Sequence, residues 1–372
     1  MTQPSGVIDP QFPNHVCELQ RALYGLKQAP HAWFDRLSNF LLSCGFFFCS
    51  LVDPSLFIRH SDQGVLALLL YVDDILLIGS SSILVNSFIH TLSQEFSMKD
   101  LGPVHHFLDV VISLTSGGLH LSQSHYALTI LERSHMVNCK SMSTPLDIKL
   151  QPFVSAPSLA DPSYYRGIVG ALQYITLTRP DLSYRVNYVS QFMHAPTTAH
   201  LKLIHRILQY LKGTLSTGLH LTSNTSLTLS GFSEVDWAAC PTTRRSTTGY
   251  CIFLGSNLIS WCAKKQHTIS RSSTEAEYRA MSHTTTELTW LSYLLSDLHI
   301  YGSPSPTLYC DNISALYLTI NPVFHVRSKH IELDYHYVYE RVARGLLVTK
   351  HIPSTHHVAD LFSKSVPKAT LA

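Results

Sequence analysis

Apolar positions along this chain recur with two different periods, and the change of period divides it. From about residue 17 to 125, short apolar runs alternate with polar turns, the pattern of a mixed sheet and helix region. Leu201, Ile204, Leu208 and Leu211 fall three or four apart, so Tyr164 to Gly213 reads as helical. Ser141 to Ser163, rich in Pro and Ser, reads as a linker, and a second boundary falls at the polar stretch Leu221 to Ser226. The rest, from about 227 to 366, reads as strand, hairpin, helix, strand, helix. Leu227 to Trp237 has the alternation of a strand, and Tyr250 to Leu254 with Leu258 to Trp261 flank Gly255-Ser-Asn257 as a hairpin. A long helix begins near Ser273, with Met281, Thr284, Leu288, Leu291, Leu295 and Leu298 on one buried face. Thr307 to Cys310 and Leu346 to Ile352 are strand candidates, and Ile331 to Arg344 is a helix stopped by Gly345.

Composition narrows the class. The 372 residues allow two or three domains, and 45% apolar with only 14% charged residues argues against disorder. A net charge of +2 argues against a polybasic binder, so a nucleic-acid partner would be gripped by local basic patches. No run approaches the ~18 apolar residues of a membrane span. Val65 to Ile78 comes nearest and is interrupted by Asp73 and Asp74, so a soluble chain is expected. The start, Met1-Thr-Gln-Pro-Ser-Gly6, has neither a basic head nor an apolar core, and the eight cysteines contain no C-x-x-C. Both features point to an intracellular location, cytoplasmic or nuclear, with reduced thiols and no secretion.

Several carboxylates stand where they invite chemistry. Asp73 and Asp74 lie between two apolar strand-like runs and admit two readings. One is a solvated hairpin turn, for which Asp-Asp is a poor choice; the other is a divalent-cation site. Glu234 and Asp236, two apart on a strand, share a face. Glu277 lies one helical turn before Met281, at the head of an apolar stripe. It fits a capping box with Thr274, but Ser272 with Glu275 fits equally well and would leave Glu277 free. Asp311 reads locally as a helix N-cap, and Asp360 as an ordinary helix residue. His325, His330, His336, His356 and His357 lack the paired Cys or the H-E-x-x-H spacing that would favour zinc.

In combination these segments carry a resemblance. Tyr71-Val-Asp-Asp74 resembles the catalytic motif of reverse transcriptases, and Tyr24-Gly-Leu-Lys-Gln-Ala-Pro30 followed by Trp33 resembles that of copia-type retrotransposon polymerases. Phe96-Ser-Met-Lys-Asp-Leu-Gly102, Tyr165-Arg166 with Gly170-Ala-Leu-Gln-Tyr174, Thr178-Arg-Pro-Asp181 and Tyr210-Leu-Lys-Gly-Thr214 continue the match in the family's order. The resemblance implies that Asp73 and Asp74 ligate two Mg²⁺ ions and that Tyr71, Lys27 and Gln28 line the nucleotide and template site. The family's third Asp lies upstream of its Met-x-Gln-Pro-x-Gly segment, which here begins the chain. The expectation is therefore that these residues alone do not polymerise DNA, unless an upstream reading frame supplies that strand. Asp109 stands where the family usually has Gly, a position where a side chain would strain a tight backbone approach.

The last region is similar to the ribonuclease H domain of the same elements. The matching segments are Gly231 to Trp237, Arg245 to Tyr250, Ser272 to Tyr278, Cys310-Asp-Asn312, Asn321 to His325, Arg327 to Ile331 and Ala359 to Phe362. The resemblance implies a two-metal site built from Glu234, Glu277, Asp311 and Asp360, cleaving the RNA strand of an RNA–DNA hybrid. Mn²⁺ is a possible substitute for Mg²⁺. The first position is normally Asp, and Glu234 adds a methylene that Mg²⁺, with its strict octahedral geometry, tolerates badly. Arg244, Arg245, Lys264 and Lys265 would contact phosphates or merely aid solubility, and Trp237, Tyr250 and Trp261 read as core packing. The fold expected is α/β (α+β). It comprises an incomplete reverse-transcriptase palm over 1–125, a helical thumb or connection over 126–226, a ribonuclease H-like mixed sheet flanked by helices over 227–366, and a tail over 367–372. Expected partners are RNA–DNA hybrid, primer-template and the remainder of a Pol polyprotein. The rival reading is a catalytically inactive retroelement relic that at most binds nucleic acid.

Overall fold

The computed structural model describes residues 2–19, 23, 25–49, 53–146, 156–223, 225–302, 304–321 and 331–366. Tyr24, part of the linker (147–155), the segment 322–330 with His325, Arg327 and His330, and the tail 367–372 lie outside them. The chain forms two compact units, Met1–Gly102 and Pro103–Ala372.

The first unit runs α1 (Ala29–Ser43), β1 (Phe47–Cys49), β2 (Asp53–Ser61), β3 (Gly64–Tyr71), β4 (Asp74–Gly79) and α2 (Ser82–Glu95), with the strands antiparallel in chain order. Pro30 opens α1, where its missing N–H is no loss, and the Ser81 hydroxyl caps α2 by accepting from the Ile83 amide. Alternation in β3 sends Leu66, Leu68 and Leu70 inward against Leu37 and Leu41 of α1 and Leu84, Phe88 and Leu92 of α2. Each such buried side chain is worth roughly 1.5–3 kcal/mol. The hairpin turn is not made by the Asp-Asp pair: Tyr71 pairs with Asp74, so the turn residues are Val72 and Asp73. Val72 has φ +50°, an unusual conformation for a β-branched residue, and its carbonyl accepts from Trp33 Nε1 at 2.8 Å.

The second unit begins with β5 (His106–Phe107), β6 (Val110–Thr115) and β7 (Gly118–Ser122). The expected helical stretch resolves into α3 (Ser124–Arg133), α4 (Ser163–Ile175), a 3₁₀ turn at Pro180–Leu182, α5 (Ser183–Ser190) and α6 (Thr198–Gly213). The chain then returns as β8 (Leu219–Thr222) to pair with β7. Two of the family-like motifs meet in this core. Arg179 grips Asp181 with two hydrogen bonds of 2.9 and 2.7 Å and donates to the Thr214 carbonyl, while Tyr210 donates to Asp181 at 2.8 Å. Arg179 is fully buried, and breaking such a pair typically costs ~3–5 kcal/mol. Tyr165 and Tyr174 act as tethers too, donating to the carbonyls of Val189 and Leu108.

The remainder is a five-stranded mixed sheet in the order β11-β10-β9-β12-β13. Its elements are β9 (Leu229–Asp236), β10 (Thr247–Leu254), β11 (Asn257–Lys265), α7 (Ser273–Asp297), β12 (Thr307–Cys310), α8 (Ile313–Ile320), α9 (Glu332–Ala343), β13 (Val348–His351) and α10 (Asp360–Ser363). β12 is parallel to both β9 and β13, whereas β9, β10 and β11 form an antiparallel meander. α7 covers one face, where a Cβ on Gly231 would come within 3.0 Å of Leu288 and 3.1 Å of Thr284. α10 lies over the other face, against Gly249. A Cβ there would stand 2.7 Å from the α10 backbone, so only glycine permits the approach. Trp261, as expected, packs inward and donates to Thr176; Trp237 does not, remaining 48% exposed because β9 ends at Asp236. No helix of the described residues is long and apolar enough to cross a membrane.

Leu108 and Asp109, the two residues between β5 and β6, have φ of +48° and +58°. Left-handed backbone costs a residue with a Cβ ~1–2 kcal/mol, and glycine returns part of that as chain entropy. Asp109→Gly is expected to stabilise the protein by roughly 0.5–1 kcal/mol in urea unfolding; destabilisation would show that the Asp109 side chain makes a compensating contact.

Candidate metal centre

Parallel pairing of β9 with β12 aligns Ser230 with Thr307 and Phe232 with Tyr309. Continued for two residues, that register sets Asp311 beside Glu234 at the strand ends. Glu277 comes from the first turns of α7. Ser272 caps that helix by accepting from the Glu275 amide, and the Glu275 carboxylate turns back to accept from the Arg271 amide at 2.8 Å. The Ser272–Glu275 pairing thus does the capping and leaves Glu277 to face the strands. Asp311, expected to cap α8, does not: Asn312 Oδ1 accepts from the Ala315 amide, and Asp311 Oδ2 instead accepts from the Ser354 hydroxyl at 2.6 Å. Asp360 opens α10, whose position is fixed by Gly249 beneath it and by buried Arg185, which donates to the Leu361 carbonyl.

The two glutamates are poorly hydrated, whereas Asp311 and Asp360 are half-buried. Glu234 is 6% and Glu277 5% exposed. Burial, reinforced by Glu234 and Asp311, pushes the Glu277 carboxyl up to about 9, and burial with Asp311 pushes Glu234 up to about 7. Glu234 Oε2 is buried without a hydrogen-bond donor. His357 Nε2 lies 3.8 Å from it, but burial lowers that imidazole's pKa, so the ring is a weak counter-charge. One group of donor atoms, those of Glu277, Cys310 and Asp311, converges to within 4.8 Å. Burial pushes the Cys310 thiol far up, leaving it protonated and the two carboxylates as the hard-oxygen donors. Glu234 and Asp360 form a second pair around Lys364, whose Nζ is 2.7 Å from Asp360 Oδ1 and 3.7 Å from Glu234 Oε1. Buried, mutually repelling carboxylates with an unpartnered oxygen suit a hard divalent cation.

The other expected site residues lie apart from this corner. Asp73 and Asp74 are exposed at the β3–β4 turn beside exposed Tyr71, and among the described residues they belong to no group of three or more metal-capable side chains. Lys27 and Gln28 are exposed just before α1. Arg244 and Arg245 are exposed between β9 and β10, and Lys264 is exposed on β11. Lys265 is half-buried and donates to Gln191 and to Cys240 Sγ. His336 and His356 are exposed and join no such group. Sequence reasoning missed the part played by Lys364, His357 and Gly249. The i,i+4 spacing of Asp360 and Lys364 was the available signal for the first.

A family model described as reverse transcriptase (RNA-dependent DNA polymerase) matches residues 1–148. The chain is 45% identical over 370 residues to a retrovirus-related Pol polyprotein from transposon RE1 of Arabidopsis thaliana, a match covering 99% of this chain and 25% of that protein. It is 34% identical over 291 residues to a transposon Ty5-1 protein of Saccharomyces cerevisiae, covering 77% of this chain and 94% of that one. Among solved structures, the ribonuclease H1 LC11 isolated from compost overlaps 37% of this chain and 93% of its own, at 15% identity and a TM-score of 0.30. The chain spans about a quarter of the length of the Pol polyproteins it matches.

Burying Glu277 among like charges costs stability that a neutral isostere would not. Glu277→Gln is expected to stabilise the protein by about 1–3 kcal/mol in urea unfolding at neutral pH with chelator present. A loss of stability would mean that Glu277 is compensated within the fold.

Proposed function

The chain belongs to the Pol polyprotein family of copia-type retrotransposons, and from that premise we propose that residues 227–366 form a divalent-metal-dependent ribonuclease H cleaving the RNA strand of RNA–DNA hybrids. The reverse transcriptase and ribonuclease H families generally depend on divalent metals. The observation that carries the proposal is the grouping of Glu277 and Asp311 donor atoms within 4.8 Å, with buried Glu234 on β9 and Asp360 on α10 joined through Lys364.

In this reading Glu234, Glu277, Asp311 and Asp360 hold two Mg²⁺ ions. Bound there, such ions supply activation of water and charge stabilisation at the departing oxygen. The protein's own residues do the rest. Ser354 orients Asp311 through its hydrogen bond, and Gly249 sets the depth of α10 and hence of Asp360. Arg244, Arg245 and Lys264 stand exposed, available to phosphates of the hybrid, with Lys265 behind them. We assign residues 1–125 to the reverse-transcriptase palm, with Asp73 and Asp74 as metal ligands and Tyr71, Lys27 and Gln28 toward nucleotide and template. Residues 126–226 are the thumb or connection. Of the two candidate centres, the nuclease corner has the fuller set of ligands among the described residues.

Glu234 is the weak point, because its extra methylene shifts a ligand that Mg²⁺ needs placed to within tenths of an ångström. Hybrid cleavage by the purified chain is expected to be weak in Mg²⁺ and stronger in Mn²⁺, to rise roughly tenfold on Glu234→Asp, and to vanish on Asp311→Asn. If Glu234→Asp leaves cleavage unchanged while Asp311→Asn abolishes it, the argument about position 234 is wrong. Salt-sensitive hybrid binding without cleavage in either metal would favour a binding-only relic.

A further inference from the structure

The four carboxylates assigned to the nuclease do not converge equally. The donor atoms of Glu277 and Asp311 lie within one 4.8 Å group, while those of Glu234 and Asp360 do not join it. What the latter two share is Lys364. Its ammonium lies 2.7 Å from Asp360 Oδ1 and 3.7 Å from Glu234 Oε1, and its side chain is 44% exposed, so it reaches in from solvent. It follows Asp360 by four residues, just beyond the end of α10, so the turn that positions the carboxylate also delivers the cation. Glu234 reaches one methylene further than an Asp would.

We propose that Lys364 is a built-in counter-cation of the nuclease centre, which holds Glu234 and Asp360 and competes with a divalent ion for them. This rests on the two-metal reading of the same site. The chemistry is direct. An ammonium at 2.7 Å occupies the oxygen that a Mg²⁺ ligand bond of roughly 2.0–2.1 Å would use, and a +1 charge beside a +2 ion in a poorly hydrated corner opposes its entry. For the ion to take Asp360, Lys364 must swing outward, and its exposed end gives it a path. The centre therefore carries its own threshold for metal, set by a side chain that is not itself a ligand.

The test is isothermal titration of the full chain with Mn²⁺ alone, comparing the wild type with Lys364→Met and Lys364→Arg. The expected result is Mn²⁺ binding about tenfold tighter in Lys364→Met, with Lys364→Arg, which keeps the charge, near the wild type. A purely structural salt bridge would leave the affinity unchanged. Unchanged or weaker binding in Lys364→Met, in a protein whose circular dichroism shows it folded, would overturn the role of Lys364 while leaving the metal site standing. Absence of Mn²⁺ binding by all three proteins would overturn the two-metal reading and the competition with it.

Discussion

Carboxylates brought together out of water repel one another, and the five-stranded-sheet part of this chain is organised around that repulsion. Glu234 and Glu277 are almost fully buried, Asp311 lies at the end of the adjacent strand, and Asp360 is set over the sheet by α10. No hydrophobic core requires such a grouping, and the neighbouring carboxylates add to the cost of ionising the two buried glutamates. The fold accepts the cost because the backbone leaves little choice. Parallel pairing of β9 and β12 fixes two of the positions, the Ser272 cap orients the first turns of α7, and glycine at 249 lets α10 sit directly on the sheet.

Several of the family-like motifs lie away from this corner. Arg179, Asp181, Tyr210 and Thr214 form one buried ion-pair network, Tyr165 ties α4 to the Val189 carbonyl, and Tyr174 ties it to Leu108. These motifs keep the helical region in one arrangement. Through buried Arg185, which donates to the Leu361 carbonyl, that region holds the backbone of α10. The helices of the second unit therefore support the helix that carries Asp360.

Local pattern was enough to read the hairpin of β10 and β11, the long helix α7, the strand β12 and the helix α9 stopped at Gly345, because periodicity decides each and a glycine marks the hairpin turn and the end of α9. Glu277 was legible through competition between two capping boxes, of which Ser272 and Glu275 form the real one. Asp311 misled, because Asn312 stands next to it and takes the cap, and the choice between adjacent capping residues depends on where the strand ends. The Asp73–Asp74 pair does not itself make the turn, for which Asp-Asp is a poor choice. The turn lies one residue earlier, at Val72 and Asp73, where the Trp33 hydrogen bond holds an otherwise unfavourable φ. His357 and Gly249 acquire their meaning only when α10 is laid on the sheet, a contact that no local spacing encodes, whereas the i,i+4 spacing from Asp360 foreshadows Lys364.

The most direct test of the central claim is a crystal structure of the full chain with Mn²⁺, using the anomalous signal of the metal to locate it. Anomalous density is expected between Glu277 and Asp311 and shared with Glu234 and Asp360, with the Lys364 ammonium displaced from Asp360. Manganese bound elsewhere, or a carboxylate corner that stays closed around Lys364 at saturating Mn²⁺, would contradict it.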